Sequence, residues 1–413
     1  MKIHLFFAYL DPGSGSALVG TVIAVAGAAL YSLKSLLYRL VRRQPAASAE
    51  PPALAIFSEG RNYWGTWRLI VEELRARGIP FAYYTLDLHD PALLIDDPLM
   101  HARLYDKAKA GSYAALARIQ AKVLLATTPN IGTPGYPLRR APGVARLVHV
   151  FHAFADVSAY HLGSLDAYDT VLTVGAHQEP YIREVERARG LPAKKMVPVG
   201  LPYFDAQYLA RADRAASAAL AAPAEGAAPT VLVAPSWGEK GCLREYGTDF
   251  ICRLAEAGFD VIVRPHPQSY LAEADFLADC RARTARFPNV SWDDETVGSK
   301  AMERSAVLVS DTSSIRFDYA FLYGKPVVTL AIPRTSQAAY EGVHQKSMWT
   351  DDAAPRLGRV LDHDTVDSIV PVVREVLGQG ASDDVLRFRA ETIAHLGTSA
   401  SAVVDALLAE VDA

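Results

Sequence analysis

The stretch LAIFSEGRNYWGTWRLIVEELRARGIPFAYYT, residues 54–85, joins two short apolar runs through a segment with helical periodicity. Leu54–Ser58 and Phe81–Thr85 have the length and composition of buried strands, whereas apolar residues recur three and four positions apart over Thr66–Arg77. Two buried strands joined by a helix are typical of a parallel βαβ unit. The stretch therefore predicts an α/β protein with a doubly wound sheet.

The same alternation continues along the chain and restarts after an alanine-rich connection at residues 206–229. Apolar runs predict further strands at Val123–Thr127, Leu147–Phe151, Val171–Val174, Met196–Val199, Val231–Ala234, Val261–Arg264, Val307–Ser310 and Val327–Leu330. Helical periodicity predicts helices at Gln178–Arg189, Tyr246–Ala257, Tyr270–Arg286, Ile315–Tyr323, Thr365–Leu377 and Ala402–Val411. Two Rossmann-like halves of similar size imply a ligand cleft between them.

These elements give a predicted domain order for the whole chain. The predicted segments are a membrane anchor at 1–43, a linker at 44–52, a first Rossmann-like domain at 53–215, an interdomain linker at 216–229, a second Rossmann-like domain at 230–380 and terminal helices at 381–413. At 413 residues the chain is too long for one ordinary core, which agrees with two domains.

The N-terminal segment predicts a membrane anchor. Gly13–Leu33 contains no charged residue and is about long enough to cross a bilayer. Positive charges follow it, at Lys34, Arg39, Arg42 and Arg43. Because this bias places the C-terminal side in the cytoplasm, we expect a single-pass protein of the inner (cytoplasmic) membrane with a cytoplasmic catalytic part. A hairpin or a peripheral helix is the alternative.

Composition excludes some partners. The formal net charge of -4 argues against nucleic acid, since phosphate backbones select strongly basic surfaces. Three cysteines without C-x-x-C spacing indicate reduced thiols in a cytosolic domain. The sequence contains no P-loop, dinucleotide fingerprint or zincin motif, and no D-x-D pair of the kind that would hold a metal–diphosphate. We therefore expect no cofactor and no metal.

Three polar loops follow predicted strands of the second half, where ligands gather in open α/β sheets. Ala234–Gly241 (APSWGEKG) offers the hydroxyl of Ser236 and the aromatic ring of Trp237. Arg264–Pro267 (RPHP) holds His266 between two prolines, which fix the backbone. Either it aims a guanidinium and an imidazole at a diphosphate, or it is a rigid turn.

The third loop begins a predicted helix. Ser310, Asp311, Thr312, Ser313 and Ser314 precede Ile315–Tyr323, and this helix also contains Asp318. Hydroxyls beside free N–H groups and the positive end of a helix dipole form a receptor for phosphate. A plain N-cap is the alternative. Arg264 and His266, which end a strand of the same domain, favour the phosphate site.

In the first half, His152 follows a predicted strand and is a candidate general base, since the pKa of histidine lies near neutrality. His149 lies within that strand and is expected in the core. Asp156 or His161 is expected to orient His152 or to replace it. The polar loop Glu59–Asn62 opens on the same side, unless it is a solvated turn.

The three loops of the second half together resemble the CDP-glycerol:poly(glycerophosphate) glycerophosphotransferase family of teichoic-acid-type polymer synthesis. Ala234–Gly238 resembles the family's A-P-T-[FW]-R, and Arg264–Pro267 resembles its R-x-H-P. Ser310–Tyr319 (SDTSSIRFDY) is similar to S-D-x-S-S-x-x-F-D-[YF], and Phe321–Val328 (FLYGKPVV) continues the match.

The resemblance implies a GT-B-like fold, with a CDP-linked polyol donor in the second domain and a lipid-linked or glycan acceptor in the first. It implies that Arg264 and His266 meet the diphosphate, and that Ser310, Asp311, Thr312, Ser313 and Ser314 line its pocket. His152 stands where the family has the histidine of H-G-[TW]-P, although Ala153 and Ala155 replace the glycine and the proline. Two alternatives remain open. One is a glycosyltransferase or epimerase that uses a UDP-sugar, and the other is a membrane-tethered protein that binds the donor without turnover.

Overall fold

The computed structural model describes residues 52–106, 108, 111–217, 228–239, 241–295, 299–333, 340, 343, 348–379 and 383–413. The predicted anchor at Gly13–Leu33 lies outside the described residues. Within the described part of the chain, no helix is both long and apolar enough to traverse a bilayer.

The first half is built on a seven-stranded sheet in which neighbouring strands run parallel, in the order β3-β2-β1-β4-β5-β6-β7. Its strands are β1 (Leu54–Ser58), β2 (Phe81–Thr85), β3 (Met100–Leu104), β4 (Gln120–Ala126), β5 (Gly143–Val150), β6 (Thr170–Thr173) and β7 (Lys195–Pro198). The order reverses between β1 and β4, so the loops after these strands border the crevice where such sheets bind ligands.

The second half is built on a six-stranded parallel sheet in the order β10-β9-β8-β11-β12-β13. Its strands are β8 (Thr230–Ala234), β9 (Asp260–Val263), β10 (Val290–Trp292), β11 (Val307–Ser310), β12 (Val327–Leu330) and β13 (Gly358–Leu361). Here the order reverses between β8 and β11, and these two central strands carry two of the polar loops.

Helices cover both faces of the sheets. The α-helices are α1 (Trp64–Ala76), α2 (Ser112–Leu116), α3 (Glu179–Arg189), α4 (Pro202–Ser217), α5 (Cys242–Tyr246), α6 (Asp249–Glu256), α7 (Ser269–Ala272), α8 (Ala274–Thr284), α9 (Ser299–Arg304), α10 (Ile315–Tyr323), α11 (Trp349–Asp352), α12 (Ala354–Leu357), α13 (Ile369–Gln379), α14 (Asp383–Thr392) and α15 (Ser399–Val411). Short 3-10 helices lie at Arg61–Tyr63, Pro91–Leu94, Val157–Ala159, Ala176–Gln178 and Val366–Ser368.

Burial on both faces explains why the central strands are continuously apolar. Every residue of β1 is buried, and α1 buries Trp67, Ile70 and Leu74 in the same core. A second core joins the two halves, since Phe154 of the first half packs against Phe317 and Phe321 of α10. The halves are therefore held together by an apolar contact rather than by a bare linker.

The last helix returns to the first half. Val403, Val404 and Leu407 of α15 are buried in the same core as β1 and α1. The start of α15 is fixed by Asp205 of α4, whose carboxylate accepts hydrogen bonds from the Ser399 N–H at 2.9 Å and from its hydroxyl. The terminal helices predicted at 381–413 therefore include one that completes the first half.

The predicted elements differ from the structure mainly at edges and breaks. β1, β2, β11, β12 and α10 begin and end at the predicted residues. The helix predicted over Tyr246–Ala257 is observed as α6, which begins at Asp249, because Gly247, with a φ of 66° and a ψ of -154°, ends α5 at Tyr246. The alanine-rich connection is helical as α4 up to Ser217, and the structure describes the chain again from residue 228.

Lys325 connects two elements of the second half. Gly324 ends α10 in the left-handed region, with a φ of 65°. The next residue, Lys325, directs its ammonium at the end of α9, where Nζ donates to the carbonyls of Met302, Glu303 and Ser305 at 3.0, 2.8 and 2.6 Å. A cation at a helix C-terminus satisfies carbonyls that have no partner within the helix.

We expect Lys325→Met to lower the free energy of unfolding by about 2 kcal/mol, because it keeps the apolar stem and removes hydrogen bonds from a charged donor. Urea unfolding followed by circular dichroism measures this. Lys300→Met is the matched control, since Lys300 is exposed and pairs with the exposed Glu295 at 3.2 Å; its change should stay within ~0.5 kcal/mol. Equal changes in the unfolding free energy of both variants would contradict the stabilising role of Lys325 at the end of α9.

Candidate active site

The carboxylate of Asp311 joins two of the three polar loops. The Ser236 N–H donates to its two oxygens at 3.1 and 2.9 Å, and the Ser236 hydroxyl donates at 2.6 Å. The N–H groups of Cys242 and Ser313 donate to the same carboxylate at 2.7 and 3.1 Å. Asp311 is fully buried. Its oxygens are occupied by protein donors, so Asp311 shapes the pocket and does not itself bind an anionic ligand.

Ser310 also supports the loop from within. Its side chain is fully buried, and its hydroxyl donates to the Ala234 carbonyl on the neighbouring strand β8 at 2.5 Å. The expectation that this hydroxyl lines a donor pocket is therefore corrected, because the hydroxyl is used inside the sheet. Thr312, Ser313 and Ser314, at the start of α10, are only partly buried.

The start of α10 has the composition and geometry of an anion site. Thr312, Ser313 and Ser314 are partly exposed, and the Thr312 hydroxyl lies 3.5 Å from that of Ser236. Ser314 takes the N-cap position of a nine-residue helix. Hydroxyls thus surround the positive end of a helix dipole, where phosphate oxygens bind well.

His266 has a defined tautomer. Its Nδ1 accepts the Gln268 N–H at 3.1 Å, so in the neutral ring the proton lies on Nε2. Burial lowers the pKa of His266, and the nearby Asp311 carboxylate partly opposes this shift. His266 is therefore a neutral hydrogen-bond donor at pH 7, and the effect of the Asp311 carboxylate on its pKa indicates that the RPHP loop lies beside the other two.

Arg264 and Trp237 complete the cluster. The Arg264 side chain is mostly buried and its guanidinium pairs with Asp293 through Nη1 at 2.7 Å, which holds the charge in place at the end of β9. The Trp237 ring lies 6.4 Å from the His266 ring at an angle of 30° and is 49% exposed. A half-exposed indole beside a phosphate site offers a stacking surface to an aromatic ligand.

Arg316 is a residue that the sequence interpretation missed. It lies in α10 and is fully buried, with Nε donating to the Ser313 carbonyl at 3.2 Å and Nη2 donating to the Thr350 carbonyl at 3.3 Å. Burial lowers its pKa, and Asp351, Asp311 and Asp156 oppose that shift. An arginine stays charged in proteins, so a permanent positive charge lies behind the anion site. The arginine in SDTSSIRFDY was visible, but its inward direction was not.

Asp318 lies in α10, one turn after the N-cap residue Ser314. Its side chain is buried, its Oδ1 has no hydrogen-bond partner among the residues that the structure describes, and its charge is the main cause of the raised pKa of Tyr203 in α4. Burial raises the pKa of Asp318 to about 7. The structure thus groups Asp318 with Tyr203, and its predicted contact with the donor stays a prediction.

Asp318→Asn is expected to stabilise the protein at pH 8 by about 1–3 kcal/mol. The folded pKa of about 7 lies above the unfolded value of 3.8, so the stability that comes from the protonated form is present below pH 3.8 and is lost as the pH rises to 7. Asparagine does not titrate, so the gain over wild type should shrink towards pH 5. Urea unfolding at pH 5 and pH 8 measures the difference, and an equal effect at both would contradict it.

In the first half, Thr127 and Tyr63 surround His152. The Thr127 hydroxyl lies 2.8 Å from Nδ1 of His152, and the Tyr63 ring meets the imidazole edge-on at 5.1 Å. Burial lowers the pKa of His152 to about 4, so the ring is neutral at pH 7. Burial and the charge of Glu59 raise the pKa of Tyr63, which places the predicted polar loop Glu59–Asn62 beside His152.

Asp156 does not orient His152. Its carboxylate is buried and instead accepts the N–H groups of Trp349 and Thr350 at 3.0 and 3.1 Å and the Thr350 hydroxyl at 2.7 Å. His161 is exposed. The expected orienting role belongs to Thr127, a residue that the sequence interpretation assigned only to the end of a strand.

His149 lies in the core, as predicted. It is fully buried between the rings of Phe151, Tyr160 and Tyr168, and burial lowers its pKa to about 3. The ring is therefore neutral and serves as an aromatic core residue.

Comparison with solved structures supports this fold. The structure of the wall teichoic acid polymerase TagF is 13% identical and has a TM-score of 0.52, with 95% of this chain and 97% of that chain covered. The UDP-GlcNAc 2-epimerases of Methanocaldococcus jannaschii and Neisseria meningitidis are 11% and 13% identical, with TM-scores of 0.54 and 0.53; each match covers 86% of this chain and 99% of the other. These likenesses show an α/β fold with two parallel sheets.

Sequence comparison is more specific. A comparison with curated proteins found no match. The family model of CDP-glycerol:poly(glycerophosphate) glycerophosphotransferase matches residues 157–341, a segment that contains all three polar loops of the second half. Over this segment, the chain is similar to the CDP-glycerol:poly(glycerophosphate) glycerophosphotransferase family.

Proposed function

We propose that the protein is a CDP-glycerol glycerophosphotransferase-type enzyme, which moves a polyol phosphate from a CDP-activated donor to an acceptor hydroxyl. The family match at 157–341 supports the reaction class. The observation that carries the assignment to residues is the hydroxyl-lined start of α10 beside the Nε2–H donor of His266. Both features suit the diphosphate of a nucleotide-activated donor.

The donor is bound by the loops of the second half. The diphosphate lies at the start of α10, where Thr312, Ser313 and Ser314 supply hydroxyls and the helix dipole has its positive end. His266 donates through Nε2 to a phosphoryl oxygen, and Arg264 supplies positive charge. The exposed ring of Trp237 stacks on the cytosine base. A variant of the wall teichoic acid polymerase TagF, which has a similar fold, was solved after a soak with CDPG, and this agrees with a CDP-linked donor.

The reaction is a displacement at the β-phosphorus. The acceptor oxygen forms a bond to the phosphorus of the glycerol phosphate, the bond from that phosphorus to the bridging oxygen breaks, and CMP leaves with the bridging oxygen. His152 takes the proton of the acceptor hydroxyl on Nε2. In the required tautomer, its Nδ1–H donates to the Thr127 hydroxyl at 2.8 Å. Positioning and charge stabilisation supply most of the rate.

Burial keeps His152 ready to accept a proton. A pKa of about 4 means that the ring is unprotonated at pH 7 before any substrate binds. A bound diphosphate adds negative charge near the cleft, and a nearby negative charge raises the pKa of an imidazole. Donor binding therefore strengthens the base in the step that requires it.

Turnover of candidate donors tests the function. The full chain is incubated with CDP-glycerol, CDP-ribitol or a UDP-sugar and a polyol phosphate acceptor, and release of CMP or UDP is measured beside thermal unfolding. CDP-glycerol or CDP-ribitol should raise the melting temperature, by mass action, and should release CMP. Stabilisation and turnover by a UDP-sugar alone would indicate the glycosyltransferase or epimerase alternative. Stabilisation without turnover would indicate a silent binding protein.

We further propose that the N-terminal segment anchors the enzyme to the cytoplasmic membrane and that the acceptor is lipid-linked or a surface glycan. The uncharged run Gly13–Leu33 and the positive charges after it support this. Fractionation of cells that express the full chain tests the anchor, with extraction by alkaline carbonate as the measurement. Release by carbonate would indicate peripheral binding, and retention would indicate a span.

A further inference from the structure

The loop that carries His152 is attached to the second half of the molecule. Asp156, four residues after His152, accepts the N–H groups of Trp349 and Thr350 at 3.0 and 3.1 Å and the Thr350 hydroxyl at 2.7 Å. The carboxylate is 4% exposed, so these hydrogen bonds form in a water-poor environment where they resist competition from solvent.

The polar contacts continue from Thr350 to the loop Ser310–Ser314, which we call the donor loop. The Thr350 carbonyl accepts Nη2 of Arg316 at 3.3 Å, and Nε of the same guanidinium donates to the Ser313 carbonyl at 3.2 Å. Thr350 and Arg316 thus connect Asp156, in the loop that carries His152, to Ser313 at the anion site.

Aromatic rings surround this polar connection. Phe154 stacks on Phe317 with ring centroids 5.2 Å apart, and Phe317 stacks on Trp349 at 5.0 Å. Trp349 also stacks on His177 of the first half at 3.9 Å. Phe154, two residues before Asp156, and His177 therefore both belong to aromatic contacts between the halves, which restricts how the loop moves relative to α10.

We propose that Asp156 is a positioning residue that holds the His152 loop in register with the donor loop, through Thr350 and Arg316. This inference rests on the proposed function, since it assigns Asp156 a role in bringing the base to the bound donor. Asp156 does not contact the substrate. A small misplacement of a base relative to the reacting phosphorus lowers the rate strongly, while donor binding depends on the second half alone.

Asp156→Asn tests the role because the side chain keeps its shape. The amide offers only one acceptor oxygen in place of two, so the hydrogen bonds to Trp349 and Thr350 are weakened. We expect kcat for CMP release to fall roughly 10- to 100-fold. The KM for CDP-glycerol and the thermal shift that it produces should stay within about twofold of wild type, because the donor loops are intact. A variant that merely loosens the fold would change KM and kcat together.

The Thr350 hydroxyl provides a graded comparison. Thr350→Val removes one of the hydrogen bonds to Asp156 and should reduce kcat less than Asp156→Asn does. Thr350→Ser keeps the hydroxyl and should keep the wild-type kcat. Asp156→Asn combined with Thr350→Val should be no slower than Asp156→Asn alone, since both changes act on one connection. Additive losses would contradict a shared connection.

Asp169→Asn is a matched control within the first half. The Asp169 carboxylate also accepts a backbone N–H, that of Leu147 at 2.7 Å, and pairs with Arg140 at 2.7 Å, but both partners lie in the same half. This variant should lose thermal stability and keep its kcat. A kcat for Asp169→Asn as low as that of Asp156→Asn would overturn the proposal.

A distance measurement separates this inference from the proposed function. Spin labels at Ala76→Cys and Asp364→Cys report the relative position of the halves, since both sites are exposed and the three native cysteines are buried. Asp156→Asn should broaden the distance distribution, and Asp169→Asn should leave it unchanged. Absence of turnover in the wild type would refute the proposed function, whereas an unchanged distribution in Asp156→Asn would refute the positioning role.

Discussion

His152→Ala is expected to lower the rate of CMP release from CDP-glycerol by about 10²–10⁴-fold, the range for loss of a general base. The imidazole is neutral at pH 7 because burial lowers its pKa to about 4, and Thr127 fixes its orientation at 2.8 Å. The donor KM should change little, since the donor loops belong to the second half. Steady-state kinetics with a fixed acceptor measures both values.

His101→Ala is the control for this variant, because His101 is exposed on the edge strand β3. Its rate should match wild type. Thr127→Val should reduce kcat by about tenfold, since the base remains but loses its orienting partner. A His152→Ala rate within threefold of wild type would exclude His152 as the base and would remove the mechanism.

The pH dependence follows from the same pKa. A base must be unprotonated to act, so kcat/KM falls as the pH drops through the pKa of the free enzyme. With a pKa of about 4, the acid limb of kcat/KM should lie below pH 5 rather than near 6.5. In kcat, which reports the enzyme with donor bound, the limb should lie at higher pH, because the diphosphate charge raises the pKa.

His266→Ala is the second variant with a large expected effect, a loss of about 10²–10³-fold in kcat. The neutral ring donates from Nε2, since its Nδ1 already accepts the Gln268 N–H at 3.1 Å. Removing a donor aimed at a phosphoryl oxygen removes stabilisation of the charge that develops on the departing CMP. The experiment measures CMP release and donor-induced thermal shift in parallel.

His363→Ala is the matched control in the same half, because His363 is exposed, stacks on Tyr246 and lies 2.6 Å from Glu245. It should keep the wild-type rate and thermal shift. His266→Asn should recover part of the loss, since an amide also offers an N–H donor. If His266→Ala and His363→Ala behaved alike, the diphosphate would not lie at the RPHP loop.

The sequence predicted the central strands well because their apolar runs are unambiguous. Leu54–Ser58 and Val307–Ser310 are buried at every position, and nothing competes with that reading. The edge strand Met100–Leu104 was missed because its burial alternates, which leaves only one apolar face. Gly358–Leu361, the other edge strand, is four residues long and was missed because its two central residues are exposed and it carries little apolar signal.

The candidate site was predicted in its residues but only partly in its contacts. Hydroxyl and imidazole groups after strands indicated the donor loops, yet the bonds from Ser236 to Asp311 join residues 75 positions apart, which composition does not reveal. The orientation of buried groups was equally hidden. Asp156 was expected beside His152 because it is near in sequence, whereas its partners lie almost 200 positions away.

The return of α15 has a consequence for biosynthesis. This helix covers the first sheet with Val403, Val404 and Leu407, so β1 and α1 remain partly uncovered until the ribosome has made residues 399–411. The second half, complete in sequence by β13 and α13, is able to fold earlier than the half that precedes it. Chaperone protection of the nascent N-terminal part, rather than simple vectorial folding, is the expected requirement.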